Sequence, residues 1–185
     1  VAFQNPMRTL DYANGEYRAI VNQKAGVASS VLAGQERRAK TVMDFLEPRL
    51  AAVERHLDIG SGAGILMREI NHKYDCQSFG CEVDKDYLAY SNKKGMYATS
   101  DMPGGKFDLV TIVHTLEHVP DPVKTLIDIR VRLNGNLYVE VPTDKYDIVH
   151  PFMFNEKAMG RAFELAGLGA PEFWVDAAKD LCAWL

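Results

Sequence analysis

The sequence predicts an α/β fold built on a mainly parallel sheet, and three observations carry that expectation. Short apolar runs alternate with helical patterns from residue 53 onward. A glycine-rich turn, His56-Leu57-Asp58-Ile59-Gly60-Ser61-Gly62-Ala63-Gly64-Ile65-Leu66, joins the first run to the first of those helices. The stretch Phe107-Asp108-Leu109-Val110-Thr111-Ile112-Val113 is apolar on both faces, as a strand buried inside a parallel sheet must be. In open sheets of this kind ligands lie beyond the carboxyl ends of the strands, and every motif of interest here falls at such an end.

The elements follow in order. Residues 4–52 are helical in character, with Leu10, Tyr17, Ile20 and Val21 in one stretch and Val42, Phe45, Leu46 and Leu50 in another at spacings near three and four. Pro48 is expected to break or restart the last helix there, because it removes a hydrogen bond and clashes with the preceding turn. Strands are predicted at 53–59, 76–83, 96–99, 107–113 and 137–141, and helices at 64–72 and 86–92. Asp121-Pro122, an N-cap acid followed by proline at the first helical position, opens a helix through Leu133. Asn134-Gly135-Asn136 is expected to turn the chain into the next strand, Asn155 to cap a final helix ending at Gly167, and residues 173–175 and 181–185 to form the last strands. The 185 residues, 47% of them hydrophobic, suffice for one structural domain, organised as an N-terminal helical cap over residues 1–52 and a core over residues 53–185.

Charge and cysteine content narrow the function. A net charge of -4 argues against general nucleic-acid binding, which depends on a positive surface. The odd number of cysteines, Cys76, Cys81 and Cys182, without metal-ligand spacing, fits reduced packing residues and a cytoplasmic protein. No run is long and apolar enough to suggest a membrane span, and no signal peptide opens the chain.

Three glycines at alternate positions permit positive φ and close approach of a ligand to the backbone. A dinucleotide fingerprint would read G-x-G-x-x-G, but here the third glycine falls one residue early, at Gly64, and Asp58 stands two residues before Gly60. That acid would repel a pyrophosphate and can accept hydrogen bonds from an ammonium group. The next strand ends in Phe79-Gly80-Cys81-Glu82-Val83-Asp84, a carboxylate about twenty residues beyond the loop, where nucleotide-binding α/β folds place a ribose-binding acid.

D-x-G-x-G-x-G before a helix resembles motif I of the class I S-adenosylmethionine-dependent methyltransferases. The segment FDLVTIVHTLEHVPDP from Phe107 to Pro122 looks like the fourth strand and turn of a subgroup that includes ubiquinone-type O-methyltransferases, and His150-Pro151-Phe152-Met153-Phe154-Asn155 is similar to that subgroup's segment after strand five. The resemblance implies a Rossmann-like, seven-stranded sheet of order 3-2-1-4-5-7-6 with helices on both faces and S-adenosylmethionine as cofactor. It implies cofactor contacts from Asp58 to the methionine amino group, from the loop Gly60, Ser61, Gly62 and Gly64, from Glu82 to the ribose, from Asp101 and Met102 to the adenine, and from Val83, Val113 and His114. Glu82 fits the ribose position better than Asp84, which is expected to face solvent.

Methyl transfer from a sulfonium is an in-line displacement, so much of the rate comes from alignment. For a hydroxyl acceptor a neutral histidine can take the proton, a contribution of roughly 100 to 10,000-fold. His114 and His150 are the candidate bases. His114-x-x-Glu117-His118 also invites comparison with the E-x-x-E-H metal motif of some ubiquinone-type and small-RNA 3′-terminal 2′-O-methyltransferases, a helical turn bringing its first and fourth positions together and His150 adding a ligand. Because His114 replaces the first glutamate, no metal ligand is assigned, and a divalent metal is the less favoured reading. The expected reaction is methyl transfer to a small-molecule hydroxyl. The alternatives are metal-assisted methylation of an RNA 3′-terminal ribose and a catalytically inactive methyltransferase-like partner subunit. Acceptor specificity is expected from residues 3–30 and 145–154, and a homodimer that completes the pocket is left open.

Overall fold

Strand β2 (Arg55–Ile59) shows why the sheet forms where it does: His56, Leu57, Asp58 and Ile59 are all buried, so no face of it is left for solvent. The computed structural model describes residues 2–3, 10–16, 20, 27–143 and 150–185. In chain order the elements are β1 (Ala2–Phe3), α1 (Ser29–Leu46), β2, α2 (Ile65–Tyr74), β3 (Gln77–Cys81), α3 (Lys85–Lys93), β4 (Tyr97–Thr99), β5 (Phe107–Val113), α4 (Pro122–Arg132), β6 (Leu133–Pro142), β7 (Phe152–Met153), α5 (Glu156–Leu165), β8 (Glu172–Val175) and β9 (Asp180–Trp184). Seven strands form a mostly parallel sheet in the order β4-β3-β2-β5-β6-β9-β8. Numbered along the chain within that sheet, this is 3-2-1-4-5-7-6, the expected order. A separate antiparallel pair, β1 with β7, is too short to leave a pattern in the sequence.

The chain divides into two compact units, residues 11–108 and residues 1–10 with 109–185, the division falling inside β5. In the first, β2, β3 and β4 run parallel, with Asp58 opposite Gly80 and Cys81 opposite Thr99. The start of β2 is fixed by Asp108, whose Oδ2 accepts from the N–H groups of Glu54 and Arg55 at 3.1 and 2.9 Å. Helix α1 ends two residues before Pro48, as expected, and packs on α2 through a face that buries Ala39, Val42, Met43 and Leu46. Tyr17 and Val21 lie outside the described residues, as do 4–9, 17–19 and 21–26 of one expected specificity segment and 145–149 of the other.

In the second unit α4 begins as expected, with Asp121 accepting from the Lys124 N–H at 2.9 Å and Pro122 at its first position. Helix α5 is capped by Asn155, which accepts from the Ala158 N–H at 2.9 Å, and Gly167 at φ 70° follows its end. Strands β6, β9 and β8 pair antiparallel, Glu140 opposite Cys182 and Pro142 opposite Asp180. One expectation fails here. Asn134-Gly135-Asn136 does not turn; Leu133 leaves α4 directly in an extended conformation at ψ 132°, and the strand that starts there runs through all three residues.

Candidate active site

The glycine loop adopts the backbone its composition permits. Gly60, Gly62 and Gly64 lie at φ 73°, 53° and 75°, all in the left-handed region that side chains disfavour. The Gly60 and Ser61 N–H groups donate to the Cys81 carbonyl at 2.8 and 3.2 Å, tying the loop to the end of β3. Glu82 follows that end directly. Its Oε2 accepts from the Gly62 N–H at 2.7 Å and its Oε1 from the Asp84 N–H at 2.8 Å. Glu82 is buried, and burial pushes its carboxyl above the usual carboxylate range while the Asp84 and Gly62 amides pull it back.

Two further groups complete the loop's surroundings. Asp58 is buried at 3% exposure at the fourth position of β2. Gln35, on α1, accepts from the Ala63 N–H at 3.1 Å and lies across Gly62, where an added Cβ would come within 2.6 Å of its Nε2. The loop amides of Gly62 and Ala63 thus face one carboxylate and one carboxamide oxygen. The Ser61 hydroxyl is buried in the same loop without a hydrogen-bond partner. Val83 is exposed beside Glu82, Asp101 is exposed in the bend after β4 with its carbonyl accepting from Thr99 Oγ1 at 2.7 Å, and Met102 is half-buried. Asp84 does not face solvent. At 4% exposure it caps α3, accepting from the Asp86 and Tyr87 N–H groups at 2.9 and 3.2 Å, because four unpaired amides at a helix start call for an acceptor there.

In the second unit the histidines sort into two groups. His114 follows β5 at φ 48°, one of three non-glycine residues with positive φ among those described. Its N–H donates to the Glu140 carbonyl at 2.8 Å, and its Nε2 stands 3.0 Å from Asp180 Oδ2 and 3.2 Å from Glu140 Oε1. Glu117, His118 and His150 form the other group, their donor atoms within 4.8 Å of one another. The His118 and His150 rings lie 4.8 Å apart, and His118 Nε2 is 3.5 Å from Glu117 Oε1. The chain at 114–118 is a turn, closed by the His118 N–H on the Thr115 carbonyl at 2.9 Å, and not the helical turn that would join His114 to Glu117. His114 therefore groups with Glu140 and Asp180, while Glu117, His118 and His150 hold the donor set of one carboxylate and two imidazoles that suits a divalent transition ion.

Three residues of these constellations escape a reading of the sequence. Glu140 carries a faint signal, a lone acid within the apolar run Leu137-Tyr138-Val139-Glu140-Val141, since a fully buried carboxylate needs a partner. Gln35 and Asp180 carry none.

The strand order, the left-handed glycine loop and the acid at the end of β3 define a class: the fold is that of the class I S-adenosylmethionine-dependent methyltransferases. Residues 32–171 match the family model described as a methyltransferase domain, and the chain belongs to that family. Among curated proteins it is similar to a ubiquinone biosynthesis O-methyltransferase of Methylococcus capsulatus, at 29% identity over 45% of this chain; the match spans 41% of that relative's length. Among solved structures it resembles the magnesium protoporphyrin IX methyltransferase of Synechocystis PCC 6803 with bound SAH, with a TM-score of 0.68, 14% identity and coverage of 94% of this chain and 95% of that one. The methyltransferase solved with the Trm112 activator of Haloferax volcanii is similar at a TM-score of 0.67 and 15% identity, covering 84% and 93%. No helix among the described residues is long and apolar enough to cross a membrane.

Proposed function

We propose that this chain transfers the methyl group of S-adenosylmethionine to a hydroxyl of a small-molecule acceptor. The observation that carries the cofactor reading is the loop itself: three left-handed glycines, an acid buried before them at Asp58, and Glu82 bonded to the Gly62 amide. A loop flanked by two buried carboxylates disfavours a pyrophosphate and suits a ligand that brings an ammonium group and a vicinal diol. In this reading Asp58 faces the methionine amino group, and the backbone of Gly60, Ser61, Gly62 and Gly64 lines the methionine. Glu82 accepts from the ribose hydroxyls, Asp101, Met102 and Val83 surround the adenine, and Val113 and His114 stand at the methyl group. His114 is the base and His150 the alternative base. As the acceptor O–H bond breaks, the oxygen attacks the methyl carbon, and the C–S electron pair stays on sulfur, giving S-adenosylhomocysteine.

Calorimetric titration with S-adenosylhomocysteine, with NAD as the comparison, tests the cofactor. Saturable binding of S-adenosylhomocysteine alone is expected; NAD binding, or neither, overturns the reading. Radiolabelled methyl transfer from S-adenosylmethionine to a panel of phenols, catechols and aliphatic alcohols then tests the acceptor class. A homodimer is checked on the same sample by light scattering.

A second reading is favoured by the grouping of Glu117, His118 and His150. These residues would hold a divalent ion, which when bound supplies a Lewis acid for an acceptor diol, a terminal RNA ribose among them. Loss of transfer after EDTA and its return with manganese or zinc, together with methylation of a 3′-diol RNA but not of its periodate-oxidised form, is the result this reading requires.

A further inference from the structure

A histidine in the left-handed region is held there against the steric preference of L-residues, and such residues persist where their surroundings over-determine them. His114 is over-determined by two neighbouring strands. Glu140 on β6 holds its backbone, through the carbonyl that accepts the His114 N–H, and also its ring, through Oε1 at 3.2 Å from Nε2. Asp180, at the start of β9, brings Oδ2 to 3.0 Å from the same nitrogen.

The register explains how residues so far apart in sequence meet. Tyr138 and Glu140 are two apart on β6, Asp180 and Cys182 two apart on β9, and Glu140 lies opposite Cys182, so side-chain alternation puts all four on one face. The Tyr138 hydroxyl donates to Glu140 Oε2 at 2.7 Å, which leaves Oε1 toward His114, and Cys182 Sγ lies 3.7 Å from the same hydroxyl. Burial keeps the Tyr138 hydroxyl protonated and pushes the Cys182 thiol up to about 12, so neither competes for the imidazole proton. Asp180 is fixed in turn by the hairpin, its N–H donating to Asp176 Oδ1 at 2.8 Å and its carbonyl accepting from the Asp176 N–H at 3.0 Å.

Ionised carboxylates only accept hydrogen bonds. An imidazole nitrogen that faces two of them carries the proton, and the neutral ring keeps its lone pair on the other nitrogen. We propose that Glu140 and Asp180 are positioning residues that keep Nε2 of His114 protonated, so that Nδ1 is the atom that takes the acceptor's proton. This rests on the methyltransferase reading above and goes further, since it names the reacting atom and assigns a role to the C-terminal hairpin. In the step, the acceptor O–H bond breaks, an Nδ1–H bond forms, and the imidazolium charge lies against the two carboxylates while the methyl group passes from sulfur to oxygen.

The test is two-bond proton–nitrogen correlation NMR on the full chain labelled with nitrogen-15 histidine, its His114 signals assigned by their loss in His114→Asn. At a pH above the ring's titration the expected spectrum has a pyrrole-type Nε2 and a pyridine-type Nδ1. Asp180→Asn and Glu140→Gln each remove one negative charge, so each is expected to lower the titration midpoint of the ring by about one unit and to admit the other tautomer. Asp180→Glu is expected to restore the wild-type pattern. A proton on Nδ1 of the neutral wild-type ring overturns the proposal, and so do variants with an unchanged midpoint. The wild-type spectrum decides even if one variant does not fold. Titrating S-adenosylhomocysteine into the same samples separates the two failures: retained binding with the wrong tautomer sinks only the role of Glu140 and Asp180, whereas no binding to the wild type sinks the methyltransferase reading.

Discussion

The two halves of this chain store their chemistry differently. In residues 11–108 the candidate site is written mainly in backbone: three glycines at positive φ, with Glu82 accepting from the Gly62 amide and Gln35 from the Ala63 amide. In residues 109–185 it is written in side chains, with His114, Glu140 and Asp180 drawn from three strand ends and Glu117, His118 and His150 from a turn and the segment before β7. A backbone site is contiguous and leaves a motif, whereas a side-chain site is assembled by strand register and leaves almost none. The first should therefore be broken most severely by a change of backbone preference, and the second by changes of charge.

The largest effect is expected from Gly62→Val. A β-branched residue at φ 53° is strained by about 1–2 kcal/mol, and its Cβ would press on the Gln35 carboxamide at 2.6 Å. Affinity for S-adenosylhomocysteine should fall by at least roughly 100-fold, a loss of about 2.7 kcal/mol, while circular dichroism still reports a folded chain. Undiminished affinity in the folded variant would mean that the loop is not a cofactor cradle.

Glu82→Gln comes next. The amide keeps the shape but exchanges a charged acceptor for a neutral group, half of it a donor, so binding should weaken by roughly 10- to 100-fold. Because burial raises the carboxyl, Glu82 takes up a proton at a higher pH than an ordinary glutamate. Wild-type affinity is therefore expected to decline as the solution is acidified toward that raised value, and the decline should vanish in Glu82→Gln. An identical pH profile in the two proteins would remove Glu82 from the ribose.

What was legible in the sequence follows the same division. The glycine loop, the bounds of β5 and the caps at Asp121 and Asn155 could be read because each depends on residues adjacent in the chain, whereas the strand order was implied only by the family resemblance. The pairing of His114 with Asp180 could not, since it depends on where the final antiparallel strand meets β6. Local signals also misled. Asn134-Gly135-Asn136 has the composition of a turn, yet the extended conformation of Leu133 overrides it. Glu117 follows His114 at helical spacing, but the segment is not helical and the two histidine groups separate.

His56 sharpens the contrast through pH. It is fully buried on β2, its Nδ1 3.1 Å from Ser78 Oγ, and burial lowers its pKa to about 3. Between its unfolded value near 6.5 and that folded value, the unfolded chain binds a proton that the native chain refuses. Stability from this residue is therefore complete above about 6.5 and is lost as the pH falls, by about 1.4 kcal/mol per unit and about 2 kcal/mol at pH 5. Urea denaturation at pH 7 and pH 5 measures it, and His56→Gln should flatten the difference. Both tryptophans, Trp174 and Trp184, lie in the second unit, so their fluorescence reports that half, while S-adenosylhomocysteine binding depends on the glycine loop of the first. Loss of binding at a pH that leaves the fluorescence unchanged would locate the acid sensitivity in the loop half.

The smallest effect divides two acids that stand two residues apart. Glu82 and Asp84 are both buried carboxylates after β3, and composition alone does not say which one meets the ribose. Their bonds do distinguish them. Asp84 spends its Oδ1 on the Asp86 and Tyr87 amides that open α3, whereas Glu82 reaches back to the glycine loop. Asp84→Ala removes a helix cap and should cost about 1 kcal/mol of stability. It should leave affinity for S-adenosylhomocysteine within about twofold, because the Gly62 amide keeps its partner in Glu82. The opposite pattern, with Asp84→Ala weakening the ligand more than Glu82→Gln does, would exchange the two roles and would make the bond between Glu82 and Gly62 a structural brace instead of a preformed ligand contact.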